Sequence, residues 1–419
     1  MSTTSVRTPR TPQVRPAAEA GTARPPQLGI ALVGLLAALG LGLIVHARSG
    51  TVPVVLFAIG GAFGFVLFHS RFGFTSAWRQ LVAVRNGAGL RAHMLMIGVA
   101  ATLFAPLLAV GVAWRGAEAT PSLAPIGLGV TLGALLFGIG MQLGGSCASG
   151  TLFAVGSGQS AILLTLGGFV AGSTLGALTF GFWTDLPDLG TVSLAEVQPL
   201  GYLGAWLLTI AVVLGIVAAT LVLGRRDRVP PVDRAPVARG LARAVRGSWP
   251  LWVGALLLAG LNALSLWVSG SAWGITFAFS LWGSKLLDAV GVDVASWGYW
   301  QDPVNAAKYQ AGFLAEKTSV MDLGIILGAL VASSLAGAFV VHRRIPGRLA
   351  LGAVVGGLMM GYGARIAYGC NIGAYFGGIA SFSLHGWLWG AMVLVGTAVG
   401  LRLRPLLGLS NPRPTDSVC

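Results

Sequence analysis

The sequence predicts an all-α polytopic membrane protein of about ten transmembrane helices with short re-entrant helices between them. Three observations predict it. The 419-residue chain is 55% hydrophobic and 10% charged, against about 25% charged for a soluble domain. Apolar runs of about 20 residues recur along it, each long enough to cross the hydrocarbon core. The 63 glycines sit inside Leu/Val/Ala runs, where small residues let membrane helices approach closely. That placement argues against a glycine-rich low-complexity chain.

Residues 1–27 are polar and hold Arg, Pro, Thr and Ala without the apolar core of a cleavable signal, so a disordered cytoplasmic tail is expected. Spanning helices are expected near 28–46, 53–70, 92–114, 126–144, 160–182, 203–223, 249–268, 320–341, 349–368 and 384–402. They divide into a first transmembrane half, 28–223, a basic cytoplasmic linker, 224–248, a second half, 249–402, and a cytoplasmic tail, 403–419.

The net charge of +14 lies mostly in short connections, which suits membrane orientation rather than nucleic acid. Alternation from a cytoplasmic N-terminus puts Arg71, Arg79, Arg85 and Arg91, the Arg225–Arg246 linker, the turn Arg343, Arg344, Arg348 and both termini inside. It puts Asp185, Asp188, Glu196 and the loop with Asp288, Asp293, Asp302 and Glu316 outside. The expected location is the inner membrane, multi-pass, with both termini cytoplasmic.

Two stretches repeat. LGALLFGIGMQLGGSCASGTLF (Leu132–Phe153) aligns with GYGARIAYGCNIGAYFGG (Gly361–Gly378), pairing Gly140 with Gly363, Cys147 with Cys370, Gly150 with Gly373 and Phe153 with Phe376. Upstream, RFGFTSAWRQL (Arg71–Leu81) matches AWGITFAFSLWGSKL (Ala272–Leu286) more loosely, each too short to cross alone. Each half thus reads as span, re-entrant segment, two spans, Cys loop, span, with the first repeat at 53–182 and the helices at 28–46 and 203–223 as additions. The charge rule runs the helices before the two cysteines in opposite directions, an inverted repeat of the kind whose interface holds a transporter's path.

Backbone breaks at membrane depth must be buried in protein or line a cavity. Gly144, Gly145, Ser146, Ser149 and Gly150 surround Cys147; Gly369, Asn371 and Gly373 surround Cys370. A short helix starting just after each cysteine would aim free N–H groups and the positive dipole end at the pathway, which suits an anion. A free cysteine is often only a small buried hydrophobe; two at matching breaks argue for more.

GGSCASGTL and ARIAYGCNIGAYFGGIASFSLHGWLWG resemble the signature motifs of the YeeE/YedE sulfur-transport family, whose characterised members take up thiosulfate. The resemblance covers roughly residues 53–402. It implies an hourglass-like protein whose cysteines hand thiosulfate along through weak S–H···S hydrogen bonds, a role carried here to Cys147 and Cys370. Many members have a cysteine in a pattern like RFCFTSA where this chain has Gly73.

The substrate pathway is therefore expected to include Cys147, Cys370, Gly145, Ser146, Gly369, Asn371, Arg365 and His385. Arg365 would attract the anion at the outer vestibule or pair with a carbonyl; its repeat counterpart is Gln142. His385 would orient its loop or sit at the interface, and Trp297, Trp300, Trp387 and Trp389 read as an interfacial belt. Lys285 and Arg71 should snorkel to water. Cys147, Cys370 and Cys419 form no disulfide framework. No CxxC or HxxxH spacing and no GxxxxGK[ST] motif occurs, so no metal, cofactor or ATP site is expected.

The reading is a transporter or channel for thiosulfate or a related sulfur anion, and not an enzyme. The alternatives are a membrane-embedded sulfurtransferase passing persulfide sulfur to a cytoplasmic, TusA-like carrier protein, a transporter of another sulfur or selenium species, and a scaffold. The sulfurtransferase needs an activated thiolate, yet no His, Lys or Arg neighbours Cys147 in sequence.

Overall fold

A computed structural model describes residues 25–226, 238, 240–342 and 344–412. Most of the expected N-terminal tail, much of the basic linker and Cys419 lie outside them. Among the described residues, ten helices are long and apolar enough to cross a membrane.

The first part of the chain forms α1 (Leu28–Ser49), α2 (Thr51–Ser70), the short α3 (Phe74–Val84) and α4 (Ala88–Val110). A strand β1 (Pro125–Gly127) leads into α5 (Leu128–Leu143), α6 (Ala148–Gly156), α7 (Ser160–Leu178) and the one-turn α8 (Phe180–Thr184). Strand β2 (Asp188–Thr191) pairs antiparallel with β1. Then come α9 (Gly201–Arg226), α10 (Ala242–Arg246), α11 (Leu251–Ser269) and α12 (Thr276–Ala289). Two short helices, α13 (Gly298–Gln301) and α14 (Pro303–Ala311), precede α15 (Lys317–Leu335) and α16 (Gly347–Ile366). A π-helical stretch Asn371–Gly377 continues into α17 (Gly378–Ala380), and α18 (Leu384–Leu403) ends the spanning set.

All ten expected spans are present. The largest boundary shift is at α15, which ends at Leu335 rather than 341; α4 as a whole starts and stops about a turn earlier than 92–114. Its start is capped by Asn86, whose Oδ1 accepts from the Ala88 amide at 3.0 Å. Its end comes at Gly111, left-handed at φ +71°, whose N–H returns to the Leu107 carbonyl. The two segments too short to cross are α3 and α12, of 11 and 14 residues. At 1.5 Å per residue neither spans the roughly 30 Å hydrocarbon layer. The 289–316 loop carries two helices where only a loop is expected. α14 owes its start to Asp302, which accepts from the Val304 and Asn305 amides, with Pro303 in its first turn.

Glycine sets the helix spacing. On α2, a Cβ at Gly60 or Gly64 would strike the Met321 or Ile325 carbonyl of α15, and Gly324 and Gly328 answer from the other side. α7 and α16 meet the same way through Gly168, Gly172, Gly357 and Gly361. These are the four-residue spacings of close membrane-helix packing. α5 and α16 run antiparallel: Gly133 meets Gly363, and Gly140 meets Gly356. Packing partners come in matched pairs: α2 on α15 and α11 on α4, α5 on α18 and α16 on α7, α1 on α15 and α9 on α4.

The aromatic belt needs correcting. Trp389 and Trp300 are buried. Trp389 stacks with Tyr375, 6.1 Å between ring centroids. Trp300 donates to Ser284 Oγ at 3.0 Å. Trp297 and Trp387 remain partly exposed.

Candidate functional site

Both cysteines are helix N-caps. Cys147 precedes α6 with extended backbone, and its carbonyl accepts from the Thr151 amide at 2.7 Å. Cys370 precedes the π-helix, and its carbonyl takes both the Ala374 and Tyr375 amides, at 3.0 and 3.3 Å. That double bond is the local signature of the π-turn, a feature frequent at functional sites. The thiols are 2% and 1% exposed. Cys147 Sγ pairs with Ser149 Oγ at 3.6 Å, and Cys370 Sγ accepts from the Ile372 amide at 3.4 Å. Cys147 and Asp322 lie within electrostatic range of the Cys370 thiol. The structure thus brings the two sequence-distant motifs to one place.

The glycines beside them have different jobs. Gly145 adopts φ +77°, a region L side chains rarely enter, and it is exposed beside the half-buried Ser146. Gly369 is needed for space, since a Cβ there would sit 2.6 Å from the Ala374 amide nitrogen. Asn371 joins the halves: its Oδ1 accepts from Trp78 Nε1 on α3 at 3.0 Å.

Arg365, near the end of α16, borders a cavity of about 880 Å³ that reaches Tyr368, Gly369 and Gly373 of the Cys370 loop. Lys308 and Asp302 also line it, leaving two cations against one carboxylate. Arg365 donates through Nη1 to the Tyr299 hydroxyl and through Nη2 to the Thr276 carbonyl at 2.9 Å. It thus pairs with a carbonyl and also borders the cavity. Burial raises Tyr299 above the ordinary tyrosine range, so its neutral phenol oxygen accepts from the guanidinium. Gly176 of α7 makes room for the arginine stem, 2.6 Å from a would-be Cβ.

His385 is buried, which corrects the interfacial alternative. Its Nδ1 lies 2.6 Å from Ser383 Oγ, and a Cβ at Gly378 would press on its ring, so it props the turn after the Cys370 loop. Lys285 lies over the Tyr309 ring at 3.6 Å, with Asp288 at 3.9 Å. At Gly73, a Cβ would sit 2.6 Å from Ser76 Oγ.

Motif reading does not reach several polar groups. Arg404 is buried and donates to the Gln142 carbonyl at 2.7 Å. A cation therefore sits at the Cys147 side too, although Gln142 itself is neutral. Asp322 and His93 are buried inside spans. The signal for both was available: ionisable groups in apolar runs are rare and mark function.

The family model described as sulphur transport matches residues 69–399. The chain belongs to the sulphur-transport, or YeeE/YedE, family. Over 151 residues it is 34% identical to the protein named Probable transporter YedE of Escherichia coli K12, covering 35% of this chain and 36% of that one. The same figures hold for the namesake in Salmonella typhimurium. Over 160 residues it is 29% identical to the Thiosulfate transporter TsuA of Spirochaeta thermophila, covering 35% of this chain and 47% of that one. The chain spans less than half the length of each of these relatives in the matched regions. The family is one described as sulphur transport, and the ten apolar helices among the described residues suit a multi-pass membrane protein.

Proposed function

We propose that the protein takes up thiosulfate or a related sulfur anion along a path from the Arg365 cavity, past Cys370 and Cys147, to Gly145 and Ser146. The observation that carries this is the pairing of two buried thiols, each at the N-cap of a broken helix, with an arginine-bordered cavity leading to one of them. Thiosulfate is a dianion with one soft sulfur. Conduction needs sites that are weak and multiple. A thiol is a weak donor with a polarisable sulfur, and helix ends attract charge without supplying a full countercharge. Arg365 is already engaged by Tyr299 and Thr276, so it draws the anion in without clamping it. The TsuA relative carries thiosulfate in its name, which favours that member of the class.

The path lies at the interface of two inverted halves. The supporting geometry is the reciprocal contact of α5 and α16: Gly140 meets Gly356 as Gly363 meets Gly133, the same pair exchanged under the repeat alignment. Because the two helices are antiparallel, the exchange inverts one half relative to the other. The matched packing of α1 on α15 and α9 on α4 supports counting them within the repeat, five spans to each half, where the sequence alone suggests additions. Basic connections put the Gly145 side in the cytoplasm. A sulfurtransferase would need a thiol a carrier protein can reach, and burial of both disfavours that reading.

The test is growth on thiosulfate as sole sulfur source in a strain without other uptake systems. Wild type rescues; Cys147→Ala and Cys370→Ala, expressed at equal level, do not. Equal rescue by both variants ends the relay.

A further inference from the structure

Asp322 is a buried titratable group that this path leaves unused. It is fully buried on α15, and among the described residues neither carboxyl oxygen has a hydrogen-bond partner. It does not cap its helix, because Glu316 does: that carboxylate accepts from the amides and hydroxyls of Thr318 and Ser319. Among the described residues it forms no ion pair. An ionised carboxylate in such a place is costly unless something compensates it. A bound proton satisfies it without any partner cation.

Its position ties it to the cysteines. Asp322 lies within electrostatic range of Cys370, and α15 packs on the helix that starts at Cys147, where Gly156 meets the Ile326 carbonyl. The elements around it offer little countercharge. α11 carries no titratable side chain, α2 only His69, and α1 only His46 and Arg48 near its end. On α12, Lys285 and Asp288 engage one another. α10 holds Arg243 and Arg246, and α15 itself holds Glu316 and Lys317. Lys317 donates to the Ser271 hydroxyl and the Ala272 carbonyl, at 2.9 and 2.8 Å. Glu316, the N-cap of α15, lies within electrostatic range of Asp322 and adds negative charge.

The other half holds a titratable group at the matching place. Asp322 is the sixth residue of α15 (317 to 322) and His93 the sixth of α4 (88 to 93). These two helices share equivalent packing partners. His93 is buried with Nδ1 unpartnered, and it lines a small cavity at Gly73.

We propose that Asp322 is the proton site that couples anion movement to a proton gradient: the carboxyl holds one proton while the anion occupies the Cys370 loop and releases it as the anion leaves. This rests on the transport reading above. A dianion beside an ionised Asp322 would put three negative charges together, and protonation removes one. The only bond that changes is O–H: the carboxylate takes a proton from water on the cavity side, and the acid returns it to water on the far side.

The test uses the purified full chain in liposomes loaded with a pH dye, with a thiosulfate gradient imposed from outside. Wild type should acidify the lumen as thiosulfate enters and take it up several-fold faster at lower external pH. Asp322→Asn should lose the acidification, and its remaining uptake should no longer depend on pH. Asp322→Glu should keep the acidification. Uptake by wild type without proton movement, acidification by Asp322→Asn, or a requirement for sodium in place of protons overturns the proposal. If Asp322→Asn does not assemble, wild type and Asp322→Glu decide the matter. Absence of any thiosulfate uptake by wild type is a separate result: it sinks the transport reading, and the coupling with it.

Discussion

Arg365 shows what a single residue would contribute at the mouth of the proposed path. Its guanidinium holds two partners at once, the Tyr299 hydroxyl and the Thr276 carbonyl, and it lies over the Phe277 and Tyr299 rings, 5.8 and 4.9 Å from their centroids. Lysine keeps the charge but lacks the planar fork. Arg365→Lys should therefore raise the KM for thiosulfate about ten-fold, equivalent to about 1.4 kcal/mol, a size expected for one charge-assisted bond. Uptake kinetics in intact cells check this, and an unchanged KM would remove Arg365 from the path. The cysteines and Arg365 are legible in the sequence because a thiol in a glycine-rich break and a charge in an apolar run stand out locally. Tyr299 and Lys308 are not legible, since the loop that carries them reads as ordinary outside loop until α13 and α14 fold it over the cavity. Arg404 is hidden for a similar reason: a basic residue at a chain end reads as orientation, and only packing reveals that it reaches the Gln142 carbonyl.

α2 with α15, and α7 with α16, meet through backbone contact at their glycines. Gly361 of α16 has the Phe169 carbonyl against the place a Cβ would occupy, and the Ser173 amide nitrogen 2.6 Å away. Gly361→Ala forces α7 and α16 apart and should destabilise the protein by about 1–3 kcal/mol. Gly167, with nothing near its would-be Cβ, is the control. Thermal unfolding in detergent should show a lower midpoint for Gly361→Ala and none for Gly167→Ala; equal shifts would show that the contact is not what binds the pair. Element type and order follow directly from hydropathy, because a span needs length and apolarity and little else. The ends of α4 do not, since the Asn86 side chain and the Gly111 amide set them by local hydrogen bonds that hydropathy cannot see. The buried Trp389 and Trp300 show the same limit: tryptophan suits an interface and a core equally, and tertiary packing chooses.

For the whole molecule, the two-half arrangement predicts which surface faces which compartment. The 183–200 loop should lie outside. Leu189, 82% exposed on β2, is a suitable reporter: in a Cys419→Ser background, Leu189→Cys should react with an impermeant maleimide from the periplasmic side. Labelling from the cytoplasmic side alone would reverse the orientation and exchange the roles of the Arg365 and Gly145 mouths. The proposed inverted relation rests on the repeat and the basic connections in the sequence, whereas the antiparallel packing of α5 on α16 shows only in the structure. The central claim is that the anion passes both thiols, and initial rates of radiolabelled thiosulfate uptake into liposomes of purified protein test it most directly. The account predicts rapid uptake by wild type and its loss in both Cys147→Ala and Cys370→Ala; wild-type rates in either folded variant would contradict it.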